Sequence, residues 1–99
     1  MSQRIDEIKS VVERQEKCRA IHVESVVVRE EFHGEIVWEG VVETFDLRDH
    51  PIAKRAYAWQ RFKGGEKKEP EYTVVLGIPP VNSAQNAVRA AVVALYKNL

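Results

Sequence analysis

The stretch WEGVVETFDLRDHPIAKRAYAWQRF, residues 38–62, holds both tryptophans of the chain and alternates with a period of two on either side of a polar corner. Before the corner, Ile36, Trp38, Val42 and Thr44 share one parity, and Val37, Glu39, Val41, Glu43 and Phe45 share the other. That alternation predicts a strand over 35–47. Gly40 leaves its register open, because a bulge there would put Ile36, Trp38, Val41 and Phe45 on one face instead. RDHP at 48–51 makes the corner: Asp49 can bond its own backbone, and Pro51 biases His50 away from helical angles. Beyond it, Arg55, Tyr57, Trp59 and Arg61 alternate with Ala56, Ala58, Gln60 and Phe62. This predicts a strand over 53–63, antiparallel to the first, with a short helical turn at 51–56 as the competing reading of its start.

Working outward, Val23, Val26, Val27 and Val28 are β-branched and favour extended chain, and HGE at 33–35 supplies a turn. Tyr72, Val74, Leu76 and Ile78 predict a fourth strand after the polar loop KGGEKKEPE at 63–71. At the start of the chain, Ile5, Ile8, Val12 and Cys18 recur among charges, which predicts a helix over 3–20 with Ser2 as a cap. At the end, Asn82 or Ser83 caps a helix to about Asn98, with Ala84, Ala87, Val88, Ala91, Val92, Leu95 and Leu99 on one face. A second, weaker stripe of Ala90, Val93 and Ala94 implies a second contact. The first helix is the expected neighbour, and another subunit is the alternative.

The expected fold is therefore α+β, a two-layer sandwich in the order α-β-β-β-β-α. An antiparallel four-stranded meander carries both terminal helices on one face. Ninety-nine residues make a single domain, 1–99, with a small core. The 44% hydrophobic and 30% charged content is that of a globular protein rather than a disordered one. No apolar run reaches the roughly 20 residues that span a bilayer. MSQRIDEIKS has no signal-peptide core, and the lone cysteine, Cys18, cannot form an internal disulfide, so a reducing cytoplasm is expected. Cys18 itself reads as a small core residue.

The net charge is zero but unevenly placed. Residues 24–49 are acidic and 54–71 are basic, which is expected to resolve as pairing across neighbouring strands. No HxH, HxxxH or HExxH spacing links His22, His33 and His50, and KGGEKK lacks both phosphate-loop spacings, so no metal or cofactor is expected. Three functional readings remain. Trp38, Phe45, Tyr57, Trp59 and Tyr72 can wall a pocket for an apolar or cationic small molecule. Asp49 and His50 offer an alternative polar site for acid–base chemistry. Arg55, Tyr57, Trp59 and Arg61 would form a nucleic-acid-binding face if the sheet left them uncovered.

The meander followed by SAQNAVRAAVVAL is similar in layout to a double-stranded-RNA-binding domain. That family needs lysines at the start of its last helix, where this chain has Asn82, Ser83, Ala84, Gln85 and Asn86. Nucleic acid is therefore not the expected partner. EGVVETFDLRDHPIAKRAYAW and PPVNSAQNAVRAAV together resemble segments of small uncharacterised bacterial proteins over about half the chain. That resemblance implies a bacterial cytoplasmic protein and transfers no functional residue. The expectation is a non-catalytic binding module, homodimeric through a valine-rich edge at Ser25–Val28, with no membrane partner.

Overall fold

A computed structural model describes residues 3–62 and 70–97. Helix α1 (Gln3–Glu16) is followed by strands β1 (Arg19–Phe32), β2 (Glu35–Arg48), β3 (Arg55–Phe62) and β4 (Pro70–Leu76), and then by helix α2 (Ala84–Lys97). The strands form one antiparallel sheet in the order β1-β2-β3-β4, the expected meander. The expected cap Ser2, the polar loop at 63–69, and Asn98 and Leu99 lie outside the described residues.

Helix α1 ends four residues before the expected boundary. Lys17 takes a left-handed backbone (φ 54°) that a helix cannot propagate, and the amide of Ala20 donates to Glu13 Oε2 at 3.0 Å. Cys18 falls in this connection, partly buried against the core beneath α1, as its core reading required. The β1–β2 hairpin turns at His33 and Gly34, both with positive φ (53° and 79°). β4 stops at Leu76 rather than Ile78. The Gly77 amide turns back to the Arg55 carbonyl at 2.7 Å, and a side chain on Gly77 would meet that oxygen. Ser83 caps α2, its hydroxyl accepting from the amide of Asn86 at 3.1 Å.

The two helices lie on opposite faces of the sheet, not on one. Ala56 and Ala58 of β3 pack under Ile8 and Val12 of α1, with Phe45 and Leu47 of β2. Their β3 neighbours Tyr57 and Trp59 pack under Ala84, Ala87 and Val88 of α2, with Val28 and Val42. Residues adjacent in a strand point to opposite faces, so the two cores are separated by the sheet itself. The sequence carried the sign of this: AYAW is apolar at both parities, the pattern of a strand buried on both sides. Alanines under α1 let that helix sit close, and Ile8 and Val12 each contribute about 2 kcal/mol of burial there. The opposite placement also removes the expected partner of the second α2 stripe. Ala90, Val93 and Ala94 face solvent.

Gly40 is not a bulge. It pairs directly with Val28, and the two irregularities in the hairpin fall at Val23 and Val37. Trp38, Gly40, Val42 and Thr44 therefore share the α2 face, while Phe45 lies on the other. A methyl group at Gly40 would stand 3.1 Å from the Trp38 ring, so the glycine accommodates an indole lying along the strand.

Candidate functional site

The five aromatic residues expected to wall one pocket do not converge. Phe45 and Tyr72 belong to the α1 side, and Trp38, Tyr57 and Trp59 to the α2 side. The sheet between them rules out a common cavity. Arg55, Tyr57, Trp59 and Arg61 do share one face, but α2 covers it, leaving Tyr57 and Trp59 only 3% and 4% exposed. Arg55 is bound to Asp46 on β2 at 3.1 Å. This is the one ion pair among the described residues that joins the acidic segment to the basic one; Glu39 pairs instead with Arg29 within the acidic segment at 2.7 Å, and Glu30 with Arg89 of α2.

A cleft forms where the sheet divides. β2 stays paired with β1, and β3 with β4, but the ladder between β2 and β3 runs only over 43–46 against 55–58. Past Glu43 and Ala58 the two hairpins separate. Side chains fill the wedge: Trp38 meets Trp59 edge to face at 5.4 Å, and Arg61 lies 4.4 Å over the Trp38 ring. Arg61 Nη2 donates at 2.7 Å to the Glu39 carbonyl, supplying a β2 oxygen with a donor where β3 no longer does. The C-terminal half of α2 roofs the wedge and leaves an open cleft of about 580 Å³. Its walls include Trp38, Trp59, Val75, Ala91 and Leu95, with Arg61 and Thr73 as its polar members. An apolar neighbour of about 610 Å³ lies across Val92, bounded by Phe32, Val37 and Val93. The ion pair Arg89–Glu30 (2.9 Å) lines this second cleft. The Arg89 bond, ahead of the opposing effect of burial, holds the Glu30 carboxyl below its ordinary value, with help from Gln85.

On the α1 face, Glu43 has no exposure to solvent, and both its oxygens are engaged. Oε2 accepts from Arg4 of α1 at 2.9 Å, and Oε1 accepts from the Ser25 hydroxyl and faces His22 Nε2 at 2.8 Å. The sequence reading missed this cluster, because the four residues are up to 39 positions apart. One signal was available. Glu43 sits between Val42 and Phe45 in a strand apolar on both sides, where a carboxylate has to be buried and therefore paired.

The expected polar site is also rearranged. Asp49 is exposed, with a left-handed backbone (φ 63°). His50 turns instead to Glu16 of α1, Nε2 to Oε1 at 3.0 Å, and its Nδ1 accepts from the amides of Ile52 and Ala53 at 3.2 and 3.0 Å. That fixes the tautomer with the proton on Nε2 and makes the residue a cap for the corner. Two histidine–carboxylate pairs thus exist, and in each the groups are already spent on structure. Glu43 and His50 would have to lose a partner before accepting a proton from a substrate. Burial, then the negative charges of Glu16, Glu13 and Asp49, push the Cys18 thiol up, away from the thiolate a nucleophile needs. Among the described residues no group of histidine, cysteine or carboxylate side chains is placed to hold a metal, and no helix is long and apolar enough to cross a membrane. Comparison with known proteins leaves this geometry to speak alone: no family model, no curated protein and no solved structure matches the chain.

Proposed function

We propose that the protein is a non-catalytic binding module that holds a small, largely apolar molecule in the cleft between the diverging hairpins and α2. One observation carries the reading: a cleft of about 580 Å³ walled by Trp38, Trp59, Val75, Ala91 and Leu95. Its volume lies inside the roughly 300–1,000 Å³ of small-molecule sites, and an apolar wall with a few polar groups is the usual composition of such sites. Catalysis is disfavoured by the full engagement of Glu43 and His50, and nucleic-acid binding by the burial of Tyr57 and Trp59.

The test is a titration of tryptophan emission with small apolar probes, repeated on Ala91→Phe. The added ring occupies the cleft from the α2 side. The reading expects probe binding to shift Trp38 emission in the native chain and to disappear in Ala91→Phe with its fold intact. Equal binding by both would place the probe elsewhere and overturn the reading.

Self-association is a second reading, favoured by the exposed Val93 of α2 and the exposed Val27 and Ile36 of the first hairpin. Net neutrality does not oppose it, since no net like-charge repulsion separates two copies. Sedimentation of the native chain and of Val93→Glu decides it: a monomer at high concentration in the native chain removes the homodimer.

A further inference from the structure

We infer that the cleft selects an amphipathic anion: a small carboxylate whose apolar body lies against Trp38, Trp59 and Leu95 while its carboxylate meets Arg61. This rests on the binding reading above and narrows it to one chemical class.

The argument begins with charge. Among the described residues that line the cleft, Arg61 is the only charged side chain and Thr73 the only one with a hydroxyl. Among the described residues no carboxylate lines it. The nearby acid of β2, Glu39, is turned to Arg29 at 2.7 Å. A cation entering the cleft would meet an apolar wall and a like charge.

The guanidinium is also held in place. It lies 4.4 Å over the Trp38 ring, and its Nη2 is tied to the Glu39 carbonyl at 2.7 Å. Stacking and one hydrogen bond fix its plane before any ligand arrives, so little side-chain freedom is lost on binding. A guanidinium has five N–H donors, and among the described residues the Glu39 carbonyl is its only hydrogen-bond partner. The remaining donors suit the two-oxygen geometry of a carboxylate. Trp38 supports this cation on its face and contributes to the cleft wall, which joins the charged and apolar parts of the site in one side chain.

Binding of octanoate, octan-1-ol and octyltrimethylammonium to the full chain tests this, followed by tryptophan emission and by calorimetry. The three share an apolar tail and differ in head charge. The inference expects octanoate to bind about tenfold tighter than octan-1-ol, the worth of a charge-assisted hydrogen bond, and the ammonium weakest of all. Arg61→Gln is expected to erase the difference between octanoate and octan-1-ol while leaving the alcohol bound. Arg61→Lys, which keeps the charge but not the planar fork, should retain only part of it. Arg61 is exposed, so neither variant removes a buried side chain, and the affinity for octan-1-ol reports any change in the Trp38 wall that the lost stacking brings. If octan-1-ol binds the native chain as tightly as octanoate, or if Arg61→Gln keeps the preference, the inference is overturned and the binding reading stands. If none of the three binds, both fall.

Discussion

Glu43→Gln isolates the chemistry of the buried carboxylate, because the two side chains have nearly the same shape and no cavity is left. In the native chain three donors converge on two oxygens: Arg4 on Oε2, and His22 and Ser25 on Oε1. An amide has one acceptor oxygen and one donor NH₂. Arg4 can only donate, so the amide oxygen must turn to Arg4, and the NH₂ then faces Ser25 and His22 Nε2. Both can accept if the hydroxyl rotates and His22 carries its proton on Nδ1. Geometry can thus be rescued, and the loss is the negative charge. A hydrogen bond to a charged group is worth about 1.5–3 kcal/mol against about 1 for a neutral one, and three such bonds are exchanged. Arg4 and His22 are partly open to water, with side chains 42% and 29% exposed, and recover some solvation. The carboxylate also no longer has to be desolvated, which returns part of the loss. A net cost of about 2 kcal/mol follows, equivalent to roughly 10 °C in the melting temperature of a domain this size. Urea unfolding followed by tryptophan emission reads it, with Arg4→Met and the double variant completing a cycle. A Glu43→Gln chain as stable as the native one would show that desolvation cancels the bonds. A cycle that is strictly additive would show that Arg4 and Glu43 are neighbours without coupling.

Two further outcomes are expected. Gly40→Ala places a methyl group 3.1 Å from the Trp38 ring, which is hemmed in by Trp59 and Arg61. Alanine's backbone advantage in a strand is offset by that displacement, and a loss of about 1 kcal/mol with a red shift of Trp38 emission is expected. Emission identical to the native chain would mean that the ring does not lie over the glycine. Glu30 links stability to acid. Its folded carboxyl titrates below the ordinary 4.5, so its contribution is complete above that pH and is lost as the pH falls through the lower folded value. Arg89→Met removes the main cause, and denaturant midpoints compared at pH 7 and pH 3 should differ less in that variant than in the native chain.

What the sequence determined by itself is everything carried by local period and local turn chemistry. The alternation through 35–47 and 53–62, the His33–Gly34 turn, the RDHP corner, the serine cap at 83 and the apolar face of α2 all depend on residues within a few positions of one another. The turn, the corner and the cap appear where the spacing put them, whereas β3 begins at Arg55, the alternation of β2 breaks at Val37, and Leu95 of the α2 face is exposed. The expected pairing of the acidic and basic segments is met among the described residues by Asp46 and Arg55 alone, because Glu30 and Glu43 find their arginines on the two helices. Tertiary structure alone decided which face each helix covers. Parity says that Tyr57 and Ala58 point opposite ways, but a helix can reach either face of a sheet, and only the competition for both apolar faces of β3 sends α1 to one and α2 to the other. That choice separated Phe45 and Tyr72 from the tryptophans and left the Ala90 stripe in solvent. It also created the two sites that matter most here. Glu43 finds Arg4 across 39 residues, and the Trp38–Arg61 cleft exists because two hairpins diverge past a four-residue ladder. Both depend on how distant segments meet, and no pattern within one segment encodes that meeting.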